Sequence, residues 1–158
     1  MKKFLKYWMP VIIWAGIIFY ASSQPYEEQD LKPFLSDEIP LGWVETYFGD
    51  VSFHYAGEEV SVDHLGKASF VEFFIRKGAH VTVYLVLAFL LYRALYNTSS
   101  TSTYTARLAI GLGILYAASD EYHQSFTVNR SPHIEDVLLD TVGIIIGTLL
   151  AKFTYSRM

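Results

Sequence analysis

The stretch RSPHIEDVLLDTVGIIIGTLLAKFTY, residues 130–155, decides how the chain is read. It joins a run apolar enough to enter a bilayer to a carboxylate, Asp140, lying inside that run. Ser131 followed by Pro132 suits an N-cap and a first helical position. Glu135 and Asp136 then complement the positive end of the helix dipole. Asp140 lies roughly 12 Å below that start along a helix axis, too deep for a capping charge. An ionisable group at such depth costs a few kcal/mol on insertion scales and asks for a partner. Asp136, Asp140, Gly143 and Gly147 fall on one stripe, and the glycine pair permits close approach of another helix. The stripe faces protein, so the stretch predicts a membrane helix inside a bundle.

Working outward, three more apolar blocks accompany it, giving expected spans over 4–22, 78–96, 108–124 and 135–155. A bilayer core takes about 20 helical residues. The third block reaches that length only if its helix continues through Asp120 to His123, which sets those polar groups at a boundary. With 52% hydrophobic and only 18% charged residues, the 158-residue chain has too little polar surface for a soluble particle. The expected fold is an all-α membrane protein, a four-transmembrane-helix bundle forming a single domain over 1–158. The first block has a rival reading, because Lys2, Lys3 and Lys6 precede it and Ala21, Ser22 and Ser23 resemble a signal-peptide cleavage site. Its apolar run is long for a signal core, and the other helices would lack a partner for their polar faces; a retained helix is expected. Absence of cysteine excludes disulfides, thiolate nucleophiles and sulfur-based zinc sites. A net charge of −4 without a basic stripe excludes nucleic acid as a partner.

Charge asymmetry orients the chain. Lys2, Lys3, Lys6, Arg93, Arg107, Lys152 and Arg157 fall on one side with no acid among them, while all 16 acidic residues belong to the other side. The positive-inside rule then predicts cytoplasmic termini and a multi-pass protein of the bacterial cell membrane. The loop 23–76 is too long for a mere connector. Its alternation over 51–55 and 59–62 around Ala56, Gly57 and Glu58 predicts a small extracytoplasmic β-hairpin. Phe70 to Ile75 read as an apolar helix surface entering the second span, and the Ser/Thr-rich linker 97–104 as a plain turn.

Three polar clusters then meet at the same ends of their helices. Arg76, His80 and Tyr84 share a helix face through a spacing of four, with Lys77 on its border. Asp120, Glu121, His123 and Gln124 close the third span, and Arg130, Asp136 and Asp140 open the fourth. Together they predict a polar pocket at the outer membrane interface. A purely structural network would have Arg76 or Lys77 neutralise Asp140 and His80 bond to Asp120. The number of groups exceeds what locking a register needs. His54 and His64 read as solvated loop residues, His133 as a helix-start surface residue, and Tyr7, Trp8 and Trp14 as interface anchors and packing. His123 with Asp120 and Glu121 gives a weak metal signal, since no two histidines have the zincin spacing, and no cofactor is assigned. Nothing resembles a nucleophile elbow. A carboxylate–histidine pair drawn from His80, Asp120, Glu121 and His123 could act as general base, with Arg76, Lys77 and Arg130 holding a phosphate. That combination suits phosphate-bearing lipid headgroups, whether bound or turned over.

The ordered set of Ser22-Ser23, Arg76-Lys77 with His80 and Tyr84, Asp120-Glu121 with His123-Gln124, Arg130, and Asp136 through Asp140 and Gly143 resembles the VanZ-like family of small bacterial integral membrane proteins. The resemblance covers most of the chain. It implies a cell-envelope membrane protein, the family taking its name from a factor associated with teicoplanin (glycopeptide) resistance, and it transfers no catalytic residue. The expected function is binding of an anionic lipid or cell-wall lipid precursor headgroup. Alternatives are a membrane-embedded hydrolase or transferase using His80 or His123, and a proton- or ion-coupled carrier using Asp136 and Asp140. Carriers usually need more helices or an oligomer, and the sequence leaves the oligomeric state open.

Overall fold

The computed structural model describes residues 2–98, 102–127 and 131–156. Four long helices carry the fold: α1 (Lys2–Ser22), α5 (Lys67–Thr98), α6 (Ser102–Gln124) and α7 (Ile134–Ser156). Between α1 and α5 lie a 3-10 turn (Tyr26–Gln29), the short helices α2 (Lys32–Glu38), α3 (Gly42–Phe48) and α4 (Val62–Leu65), and strands β1 (Ser52–Tyr55) and β2 (Glu58–Ser61). Helix α5 is the hub, packing against α1, α6 and most extensively α7.

Among the described residues, α1, α5 and α7 are long and apolar enough to cross a membrane. Helix α6, expected as a span over 108–124, starts earlier and is long enough, but does not reach the apolarity of the other three. The physical reason is that α6 buries Thr105, Asp120 and Glu121 in the bundle, which lowers its average. The second block is also longer than the expected 78–96. The helix begins at Lys67, so the end of the expected loop 23–76 is already its first turns.

The α5–α7 seam follows from the glycines. A Cβ at Gly143 would run into the backbone carbonyl of Val81, and one at Gly147 into that of Leu85. Only glycine lets α7 lie this close to α5. Around the seam, Tyr84, Leu87, Ala88, Tyr92, Ala109, Ala117, Ile144 and Ala151 form the main core. Helix α1 is fastened to it by two reaching side chains: Trp14 Nε1 donates to the Val83 carbonyl at 2.9 Å, and Tyr116 OH donates to the Ala15 carbonyl at 2.6 Å. Large apolar side chains of α1, α6 and α7 point away from the bundle, among them Ile12, Ile17, Leu108, Leu115, Leu138 and Leu149.

The loop builds its own small core from Val44, Val60, Val62 and Phe70, with Phe53, Tyr55 and Phe73 packed against it. Where this lobe meets water, each fully buried apolar side chain contributes roughly 1.5–3 kcal/mol. The hairpin turn is tighter than the sequence suggested, because Glu58 pairs with Tyr55 and leaves Ala56 and Gly57 alone in the turn. Both have positive φ, 52° and 83°, as a two-residue type I′ turn requires. Ala56 bears the strain that glycine would avoid. At α7 the helix starts at Ile134 and not at Pro132. Ser131 and Pro132 precede it, and His133 takes the position before the first helical residue.

Candidate functional site

Side chains from every long helix meet at the end of the bundle where the loop returns. On α5, the four-residue spacing of Arg76, His80 and Tyr84 aims all three along one face, and Tyr84 is completely buried. Asp120, 3% exposed, sits opposite on α6. Its Oδ2 accepts from Ser22 Oγ at 2.7 Å, Tyr84 OH at 3.0 Å and Gln124 Nε2 at 3.3 Å. Three helices are thus tied through one carboxylate oxygen. The other oxygen, Oδ1, is buried without a hydrogen-bond partner among the described residues.

The ion pairs differ from those a locking network would use. Lys77 pairs with Asp136, not Asp140, and the same Asp136 oxygen accepts from Tyr55 OH at 2.6 Å. The Lys77 ammonium also lies over the Tyr55 ring, 4.5 Å from its centroid. His80 turns to Asp140, not Asp120, with Nδ1 3.4 Å from Oδ1. The two atoms are close enough for an ion pair but out of line for a hydrogen bond, and neither has another partner among the described residues. Glu121 accepts from the backbone N–H of His133 at 2.6 Å, which fastens the start of α7 to α6. His123 stacks on Phe19 with centroids 4.2 Å apart and leaves the cluster. Arg130 lies outside the described residues.

A cavity of about 390 Å³ opens beside this cluster. Arg76, Lys77 and His80 of α5, Gln124 of α6, and His133 and Asp136 at the head of α7 line it, with the hairpin closing one side through Tyr55, Glu58 and Glu59. A second cavity of about 170 Å³ lies between α1 and α5, and Tyr84 and Asp120 line its inner wall. Arg76 and His80 belong to both. The Arg76 guanidinium lies over the Tyr26 ring at 4.6 Å, and has no carboxylate within ion-pair distance among the described residues.

Several participants were not singled out in the sequence. Glu72, 3% exposed, accepts from Tyr26 OH at 2.9 Å and from the Leu31 backbone N–H at 3.2 Å. Its signal was present: a lone acid in the apolar run Phe70–Ile75, one turn before Arg76. Tyr26 and Tyr55 carried no comparable mark, because only the loop fold brings them to α5 and α7. Burial, and then the bond to Asp136, raises the Tyr55 phenol well above its ordinary range. Burial and the Glu72 carboxylate also raise the Tyr26 phenol above its ordinary value. Glu59 is held below its ordinary carboxylate value by the hydroxyls of Ser61 and Ser52. Among the described residues no three His, Asp or Glu side chains are placed to hold a metal ion.

These features define a small, mostly helical membrane protein with a polar chamber at one end of its apolar helices. The chain belongs to the VanZ-like family: the VanZ/LLP1 family model matches residues 7–155, nearly its whole length. No curated protein and no solved structure matches it.

Proposed function

We propose that the protein is a four-span envelope membrane protein with both termini cytoplasmic, which binds an anionic lipid or cell-wall precursor headgroup in the loop-end chamber and thereby affects glycopeptide susceptibility. The four-span reading draws support from α6, whose interior polar residues lower its average while Leu108, Leu112 and Leu115 turn outward. The orientation rests on the basic side of the chain.

One observation carries the headgroup reading. Arg76 is half-buried on the wall common to both cavities, without a carboxylate partner among the described residues. Lys77 is already neutralised by Asp136, so among the described residues the charge available to a ligand here is that of Arg76. Of the acids around it, Glu72 is occupied by Tyr26 and Leu31, and Glu59 by Ser52 and Ser61. Glu58 is exposed. A guanidinium presents a planar fork that matches phosphate or carboxylate oxygens in pairs. Arg76→Gln is expected to weaken binding of a lipid phosphate about tenfold, as loss of a charge-assisted bond requires. Unchanged affinity in native mass spectrometry would overturn the reading. The matching cellular test is teicoplanin susceptibility of a strain carrying Arg76→Gln in place of the native gene.

The His80–Asp140 pair at the chamber wall favours one second reading, a hydrolase of lipid-linked phosphate with His80 as base. Phosphate release by purified protein that disappears with His80→Ala would establish it.

A further inference from the structure

We infer that the ligand is an amphiphile admitted sideways from the bilayer, with the first part of its hydrocarbon chain lying in the slot between α1 and α5. The inference rests on the headgroup reading and adds the tail, the route and the chemical class. The 170 Å³ cavity is lined on one side by Ile17, Ile18 and Ala21 of α1, and on the other by Ala79 and Val83 of α5. Its lining joins two chemistries: Ser22, Gln29, Arg76, His80, Tyr84 and Asp120 bring polar groups, and these aliphatic side chains form the rest. Because Arg76 and His80 also line the 390 Å³ polar cavity, a molecule held by Arg76 can place one end in each space.

The mouth of the slot is open for a residue-level reason. The outward faces of α1 and α7 are covered by Ile, Leu and Phe, whereas Ala21 and Ala79 are small and exposed. Deeper in, the slot is closed where the Trp14 indole bonds to the Val83 carbonyl. At 170 Å³ the space falls below the roughly 300–1,000 Å³ of a site that encloses a whole small molecule. It takes a segment of chain, and the remainder continues along the outside of α1 and α5. Asp120 closes the inner wall with its Oδ1 buried and without a partner among the described residues, an acceptor for a hydroxyl or ammonium carried near the anion.

A phosphate group could equally come from a free ion, so the test compares two probes, dodecyl phosphate and inorganic phosphate, in phosphatidylcholine nanodiscs corrected for partition into empty discs. Dodecyl phosphate is expected to bind at least about tenfold more tightly. Ala79→Trp and, independently, Ala21→Trp should bring it down to the inorganic phosphate level and leave inorganic phosphate binding unchanged. Arg76→Gln should weaken both probes. In a second measurement, dodecyl phosphate with a diazirine near its head should crosslink to Ile17, Ala21 or Val83. Equal affinity for the two probes, or crosslinks spread over the outward faces of α6 and α7, would overturn the lateral slot while the headgroup reading stands. If neither probe binds the wild-type protein, the headgroup reading fails first.

Discussion

The two ends of the α5–α6–α7 bundle use the same three helices in opposite ways. Away from the loop, Leu91, Ala94, Leu95, Ala109 and Ala151 close the interior with aliphatic and small side chains. At the loop end the same helices bury five carboxylates, Glu72, Asp120, Glu121, Asp136 and Asp140. Lipid supplies no hydrophobic drive between helices, so contact at the first end rests on close packing. That packing fixes the register in which the carboxylates find Lys77, His80, Tyr84 and Ser22. One end holds the helices; the other uses the positions so defined.

The largest expected effect comes from unbalancing the polar end. Asp136→Ala leaves Lys77 and Tyr55 without their shared acceptor, and should destabilise the detergent-solubilised protein by about 3 kcal/mol. The double variant Lys77→Met with Asp136→Leu should recover most of that loss in the same thermal unfolding assay. If the single and double variants melt alike, the pair does not govern the polar end. Next is the seam that joins the two regions: Gly147→Ala forces a methyl against the Leu85 carbonyl and should cost about 2 kcal/mol. The same change at Gly16, where an added Cβ meets nothing within 4 Å, should be close to neutral or slightly favourable. Asp120→Asn retains an acceptor but loses the charge shared by three donors, with an expected loss of roughly 1 kcal/mol.

The smallest effect is a pH dependence. The folded Tyr55 phenol has its pKa raised above the ordinary value of 10.0. The stabilising contribution is complete below that pH. Above it the unfolded chain releases the proton first, and stability falls as pH rises toward the folded value. Tyr55→Phe should therefore flatten the alkaline limb of the stability profile, at the cost of a small uniform loss from the missing bond to Asp136.

Much of the bundle was legible in the sequence because the membrane makes exceptions conspicuous. Asp140 in an apolar run and Gly143 with Gly147 on the same stripe announced a protein-facing helix, and the α5 contact at Val81 and Leu85 is its counterpart. The pairing of charges was not legible. Helical spacing places Lys77 and His80 near α7, but a one-turn offset between helices decides whether the partner is Asp136 or Asp140. The loop was the least readable part. Helices α2 and α3 are seven residues each, too short for periodicity to separate them from irregular chain. The roles of Tyr26 and Tyr55 depend on contacts spanning 46 and 81 positions.

Helix α5 is 32 residues long, about 48 Å at 1.5 Å per residue, against a hydrocarbon core of about 30 Å. In a bilayer its surplus turns form a rigid mast to which α2, α3 and α4 are attached. Thinning the surrounding lipid tilts such a helix, and a lean of about 10° would carry the tip of an overhang of about 18 Å through roughly 3 Å. The hairpin and α7 are joined through Tyr55 and Asp136 and both rest on α5, so such a lean would carry the chamber as one piece.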